Sequence, residues 1–432
     1  MVLTPYQQNQ SLENLSIPES NDPDSQDLTT CPFKQITDVY LRKAAINRSR
    51  GARQNRLFYS MSPVGHRFLE NIDSNDPQFE SIKQLAQRFN KVLEVNSGQG
   101  FEARLKAYWE MHPPSYPVCS LRDSAMGAVL NEVWFAFFAK PCPHSELIVR
   151  AARNVLMVVK DWDVVDLASR RSAIALIAEF VRQGLNPQLQ IGRPFHRIHE
   201  AIFALTVSAV DELSEGFAHA LLCLVQNPAP MPASNRDFVM ATYEALRLYP
   251  LFTQSTRPDL HSERLYAFNY VRYHRRTDLF GGDTDQFRWQ RWRHNNLLGK
   301  MLVFGISGNR ACPARGSAIK LIPVMVRVWL QNYKTRSSII HCRQLPYGGL
   351  AIAAPIDRKT CPLAYWHHLR IWAFRRSTFW LGIKWWIKYR NLFASKRLAE
   401  ADRYYETLLF ENSATPETHA SSTPLKRAVT SL

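Results

Sequence analysis

The chain has no uninterrupted apolar run near the ~20 residues that a membrane-spanning helix needs. Residues 1–27 are polar and acid-rich without an apolar stretch, so no secretory signal is read there. The seven cysteines are scattered, with no CxxC pair. That spacing offers no disulfide framework and is expected of a reducing, cytoplasmic compartment. No zinc-finger spacing, nucleotide-binding loop, nucleic-acid motif or internal repeat is found. Acids are scarce as well: 37 Asp and Glu stand against 54 Lys and Arg, a formal charge of +17. Such a balance predicts an acidic partner, an electron-donor protein or an anionic membrane surface, rather than nucleic acid.

What is present is enough for a large core. The chain has 432 residues, 21% of them charged, which suits one big domain or two smaller ones. Residues 1–35 are rich in Asn, Gln, Ser and Asp and read as a disordered leader. A short basic helix is expected over 37–53. Helical patterning then covers 120–139, with Met126, Val129, Leu130, Val133 and Trp134 at apolar spacing, and continues over 149–165 and 170–185. A long apolar helix is expected over 198–226, ended by Asn227-Pro-Ala-Pro, and another over 236–248, stopped by Pro250. Strand signals come late, at 267–273 and 337–355, the second with a Pro-Tyr-Gly-Gly turn. The fold class is therefore mainly α with a small β portion.

The chain is organised around residues 304–318, a glycine-rich loop that carries Cys312 into an apolar segment, 318–333, read as a helix. A cysteine where a loop meets a helix N-terminus is favoured as thiolate by the helix dipole, and Arg310 adds a fixed positive charge. The glycines allow close backbone approach to something flat and bulky. A thiolate held this way can serve as an axial ligand to haem iron. A structural cysteine before a helix is the plainer alternative.

Gly308, Arg310, Cys312 and Ala314 fill a Gly-x-Arg-x-Cys-x-Gly/Ala pattern, and the stretch resembles the haem-binding loop of the cytochrome P450 family. Further pieces follow that family's order. Glu244-Ala-Leu-Arg247 resembles its Glu-x-x-Arg helix, and an i, i+3 acid–base pair shares one helix face. Phe287, Arg291 and Trp292 resemble its Phe-x-Pro-x-Arg-Trp segment, with Trp289 in the place of the proline, which makes Arg291 the expected third member of the Glu244–Arg247 network. The resemblance further implies haem-propionate contacts from Arg257 and from His66, beside Arg67. It spans roughly residues 60–355 and is densest from 198 to 330.

Several features depart from the family pattern. Its oxygen-activating helix ends in Asp/Glu-Thr; Ser208-Ala-Val-Asp-Glu-Leu-Ser214 is the best match, which puts Leu213 at the threonine. Leucine has no hydrogen bond to give, so Glu212 becomes the candidate catalytic proton carrier, assisted by Ser214 or Thr206. The phenylalanine usually found seven residues before the cysteine is Gly305 here, with Phe304 one position away as the candidate cofactor contact. The chain before His66 reads as short for the family. After 356 comes a basic aromatic helical extension, 357–411; its segment 365–390 could lie on a membrane surface, pack on the main domain or dock an acidic partner. A disordered tail, 412–432, follows.

The resemblance implies a cytochrome P450-like fold over 36–356, haem b with Cys312 as proximal ligand, and monooxygenation of an apolar organic small molecule. Electrons would come from an external reductase or ferredoxin, since no flavin or reductase segment is present. Secondary metabolism is suggested by the family's breadth alone. Leu213 also leaves open a haem-thiolate isomerase, dehydratase or peroxide-dependent enzyme. The departures together leave open a non-catalytic scaffold.

Overall fold

The computed structural model describes residues 25–32, 34, 36, 77–98, 100–115, 118–161, 166–192, 194–227, 230–251, 254–258, 265–293, 297–304, 312–337, 341 and 348–356. Strand β1 (Ser25–Asp27) comes first. Helix α1 (Phe79–Asn96) buries Ile82, Leu85, Ala86, Phe89, Val92 and Leu93 along one face, the 3.6-residue period of an amphipathic helix. Helix α2 (Phe101–Met111) starts after Gly100, whose φ of 69° is the left-handed region glycine adopts without a Cβ penalty. Strand β2 (Cys119–Ser120) leads into α3 (Leu121–Phe138), where the Ser120 hydroxyl caps the helix by accepting from the Asp123 amide. Helices α4 (Ser145–Asp161) and α5 (Leu167–Gln183) follow, the latter capped by Asp166.

Helix α6 (Ile198–Gln226) is 29 residues long. It is apolar on most sides and packs on α3, α4 and α5, as a helix hydrophobic all round must. Helix α7 (Asn235–Leu248) begins with a capping box between Ser234 and Asp237. Strands β3 (Gln254–Pro258) and β4 (Leu265–Asn269) come next, then the short helices α8 (Tyr270–His274) and α9 (Thr277–Phe280). Helix α10 (Arg315–Asn332) runs into β5 (Tyr333–Arg336), and β6 (Leu350–Pro355) closes the described chain. Helix α10 packs on α6, α7 and α1. One sheet has the order β1-β4-β3, with β1 parallel to β4 and β3 antiparallel to it. The other has the order β2-β6-β5, all antiparallel.

An aromatic cluster joins α2, α6 and α10. Trp329 meets Trp109 edge-on at 5.2 Å and Phe217 at 5.6 Å. The polar ends of these rings are satisfied: Trp109 Nε1 donates to Ser124 O at 3.1 Å and Trp329 Nε1 to Thr335 Oγ1 at 2.8 Å. Each such ring stabilises by about 1.5–3 kcal/mol through burial, and edge contacts add about 0.5–1.5 kcal/mol.

The architecture is mainly α with a small β portion, as the patterning predicts. Helix α6 coincides with the expected 198–226, α3 lies one residue inside the expected 120–139 at each end, and α4, α5, α7 and α10 start one to four residues earlier than expected. The strand expected over 267–273 ends at Asn269, whose side chain accepts from Arg272 N at 3.0 Å and caps α8. Within the stretch read as a disordered leader, residues 25–32 are instead built in. β1 pairs with β4, Leu28 is fully buried, and Arg276 donates to the Cys31 carbonyl at 2.6 Å. Those partners lie some 240 residues away in sequence, where local composition carries no trace of them. The rest of the leader, the helix expected over 37–53, the extension 357–411 and the tail 412–432 lie outside the described residues. Among the described residues, no helix is long and apolar enough to cross a membrane.

Candidate functional site

Cys312 lies three residues before α10 begins. Its amide donates to Phe304 O at 2.8 Å, and its carbonyl accepts from Arg315 N at 3.3 Å. The first bond draws together the two ends of loop 305–311. Phe304 is buried in the core and Cys312 is half-buried against it. The first turn of α10 is tied to α1 by the Ser317 hydroxyl, 2.8 Å from Asn90 Oδ1 and 3.0 Å from Ala314 O.

One carboxylate, that of Glu244, gathers five donors. Glu244 Oε2 accepts from Arg247 Nε and from Trp292 Nε1, both at 2.9 Å. Glu244 Oε1 accepts from Arg247 Nη2 at 2.9 Å, Arg291 Nε at 2.8 Å and the Arg288 amide at 3.0 Å. Glu244 and Arg247 are fully buried. The remaining guanidinium donors are satisfied too. Arg291 reaches Phe280 O at 2.7 Å, Asp283 Oδ1 at 3.1 Å and Asp283 O at 3.0 Å, while Arg247 Nη1 reaches His274 O at 2.7 Å. Burial disfavours the ionised Asp283 carboxyl, but Arg291 and Arg288 outweigh it and hold the group below the usual carboxylate range.

The clamp connects to the cysteine loop through His274. Its carbonyl takes Arg247, and its Nε2 accepts the Leu302 amide at 3.1 Å, two residues before Phe304. Burial, aided by Arg247, lowers the His274 pKa to about 3, which keeps the ring a neutral acceptor. Tyr273 OH adds a bond to Lys300 O at 2.9 Å. Trp289, in the place where the resemblance calls for proline, is buried, donates to Pro230 O at 3.0 Å and lies under the Arg293 guanidinium at 4.8 Å.

Sequence reasoning aligned Leu213 with an oxygen-activating threonine. The structure puts it in the helix-bundle core, at a small apolar cavity shared with Leu93, Phe101, Val133, Leu321 and Met325. Glu212 is half-buried on another side of α6. With ~100° per residue, Ser208, Glu212, Glu215, His219 and Cys223 fall along one line of the helix, well away from Leu213. Thr206 and Ser214 are fully buried, and their hydroxyls have no hydrogen-bond partner among the described residues.

Arg257 occupies β3 opposite Tyr266 of β4. Gly308, Arg310 and His66 lie outside the described residues. Among the described residues, no group of three or more His, Cys, Asp or Glu is arranged around a metal. Cys312, half-buried ahead of α10, offers one thiol, and a single thiolate donor is what haem would ask of the protein.

No protein-family model matches the chain, and no curated protein matches it in sequence. Solved structures do match. The crystal structure of CYP175A1 from Thermus thermophilus, a cytochrome P450, superposes with a TM-score of 0.56 at 19% identity, covering 74% of this chain and 86% of that one. The chain has a cytochrome P450-like fold. Within it, Asp283, His274 and His341 are partners that sequence motifs did not single out: His274 and His341 act through residues distant in sequence, and Asp283 through Arg291 and Arg288 of the adjoining turn.

Proposed function

We propose that this P450-like chain is a haem-thiolate monooxygenase, with haem b held by Cys312, that inserts one oxygen atom into an apolar small molecule. One observation carries the reading: an unbroken relay of contacts from Glu244 through Arg247 and His274 to Leu302, two residues from Phe304, whose carbonyl takes the Cys312 amide. A sulfur that only filled space would not need its loop braced by a buried ion pair.

Haem, when bound, supplies oxygen activation, which a thiolate ligand promotes by pushing electron density to the iron. The chain supplies the rest. Cys312 is held at a helix N-terminus, which favours its deprotonated form. Phe304, buried in the core, holds the Cys312 amide through its carbonyl. Arg257, Arg310 and His66 are proposed as cationic partners of the propionates, and Gly308 as the point of close backbone approach. Glu212 carries protons from its half-buried position on α6. Electrons come from an external reductase or ferredoxin, drawn by the chain's positive charge. Leu213 stands where the resemblance calls for a threonine, so a haem-thiolate isomerase, dehydratase or peroxide-dependent enzyme is the alternative reading.

The test is haem uptake. Purified protein titrated with haemin is expected to take up one equivalent, and C312A to lose the thiolate-type absorbance. Failure of the wild-type protein to bind haem overturns the proposal and leaves the scaffold reading.

A further inference from the structure

Four polar side chains are buried against one another, three from the C-terminal half of α6 and one, His341, from the segment after β5, with Cys223 near enough to the clamp to feel the charges of Glu244 and Arg247. His219 Nδ1 lies 2.8 Å from His341 Nε2. On the other side of His341, its Nδ1 lies 3.7 Å from Cys223 Sγ. On the other side of His219, its Nε2 lies 3.7 Å from Glu215 Oε1. All four are buried, His219 and Cys223 completely. Tyr249, from the end of α7, stacks on His341 with centroids 3.7 Å apart and lies parallel to His219 at 5.8 Å.

The order of donors and acceptors is constrained. Between two facing ring nitrogens only one can carry the hydrogen, so one ring donates and the other accepts. Burial and the neighbouring His219 hold His341 well below the usual imidazole range, and burial raises the Cys223 thiol well above its own. Both are therefore neutral. One tautomer pair gives a chain of a single direction, Cys223 S–H towards His341 Nδ1 and His341 Nε2–H to His219 Nδ1, with the Glu215 carboxyl 3.7 Å from His219 Nε2, just outside hydrogen-bond distance. Along α6, Glu215, His219 and Cys223 continue the line of Ser208 and Glu212. Half-buried Glu212 marks one end and half-buried Gln226 the other. Polar groups are costly in a helix this apolar, and filling the seam with apolar side chains would stabilise the core as well.

We propose that Cys223, His341, His219 and Glu215 form a proton relay that feeds Glu212 from the C-terminal end of α6. It rests on the haem-thiolate reading, because oxygen activation consumes protons at the site Glu212 serves. The step balances without an electron moving. A proton taken up at the Cys223 sulfur from the Gln226 end releases the S–H proton to His341 Nδ1. The Nε2–H of His341 passes to His219 Nδ1, and the Nε2–H of His219 passes to Glu215, which hands it one turn back to Glu212. Each ring ends neutral in its other tautomer, and tautomerisation resets it. His219, His341 and Cys223 are positioning and relay residues; none is placed against the haem.

The experiment uses the full chain with 15N-labelled histidine, after haem uptake has been verified by absorbance. Wild type is expected to show scalar coupling between two imidazole nitrogens across the N–H···N bond, and H219Q to lose it. In the haem-loaded enzyme supplied with a chemical reductant and oxygen, H219Q and H341Q are expected to slow reductant consumption by about 10²-fold and to change its solvent deuterium isotope effect. C223A should do the same, while C223S, which restores a hydroxyl donor of similar size, recovers the rate. Absence of the coupling in wild type overturns the relay, as does an unchanged rate and isotope effect in H219Q, and in either case the haem reading stands. Absence of haem uptake overturns the haem reading itself, and with it the role given to Glu212, before any variant is compared.

Discussion

The indole N–H of Trp292 donates to Oε2 of Glu244 at 2.9 Å, on the oxygen that also takes Arg247 Nε. Trp292 and Arg291 are neighbours in sequence and approach the same carboxylate through different oxygens. The 3-10 turn Trp289–Arg293 is thereby fastened to α7.

Removing the acid leaves two guanidinium groups without their counter-charge in the interior. E244A is expected to destabilise the fold by about 3–5 kcal/mol. W292F, which loses one hydrogen bond and keeps the ring, should cost about 1 kcal/mol. Denaturant unfolding of both variants against wild type checks the order; equal midpoints for E244A and wild type would contradict the clamp.

Acid should weaken the protein through His274. Its folded pKa is about 3, against about 6.5 in an unfolded chain. Between those values the unfolded state binds the proton and the folded state does not, so stability falls as pH falls from about 6.5 towards about 3 and is fully present above that window. The slope from one such group reaches about 1.4 kcal/mol per pH unit. H274Q keeps an acceptor for Leu302 N and cannot titrate. Its unfolding free energy should lose that part of the pH dependence, and a wild-type–H274Q difference that is flat across the window would contradict the assignment.

Leu213 is a core residue by this account. L213T should cost about 2–4 kcal/mol, from lost packing and an unpartnered buried hydroxyl, without raising oxygen-dependent turnover per folded molecule. A neutral effect on stability together with higher turnover would return Leu213 to the reaction site.

The long helix, the Glu244–Arg247 pair and the loop-to-helix position of Cys312 were legible because each depends on neighbours within a few residues. Helical period, an i, i+3 pair and a glycine-rich approach are local signals. Helical geometry alone turns Leu213 about 100° from Glu212; what was not legible was which side of α6 meets α1 and α10, since that depends on packing. The strand at Ser25–Asp27 and the pairing of His219 with His341 were hidden for the same reason, since their partners come from the far end of the chain. Helices α1 and α2 were overlooked, although the apolar spacing of Phe79, Ile82, Leu85, Phe89 and Val92 was there to find.

The central claim is that Cys312 ligates haem as a thiolate. The carbon monoxide difference spectrum of the reduced, haem-loaded protein tests it most directly. The account predicts a strongly red-shifted Soret band in wild type that is lost in C312S, with the rest of the fold intact by circular dichroism. An unshifted band in wild type, or a red-shifted band that persists in C312S, would contradict it.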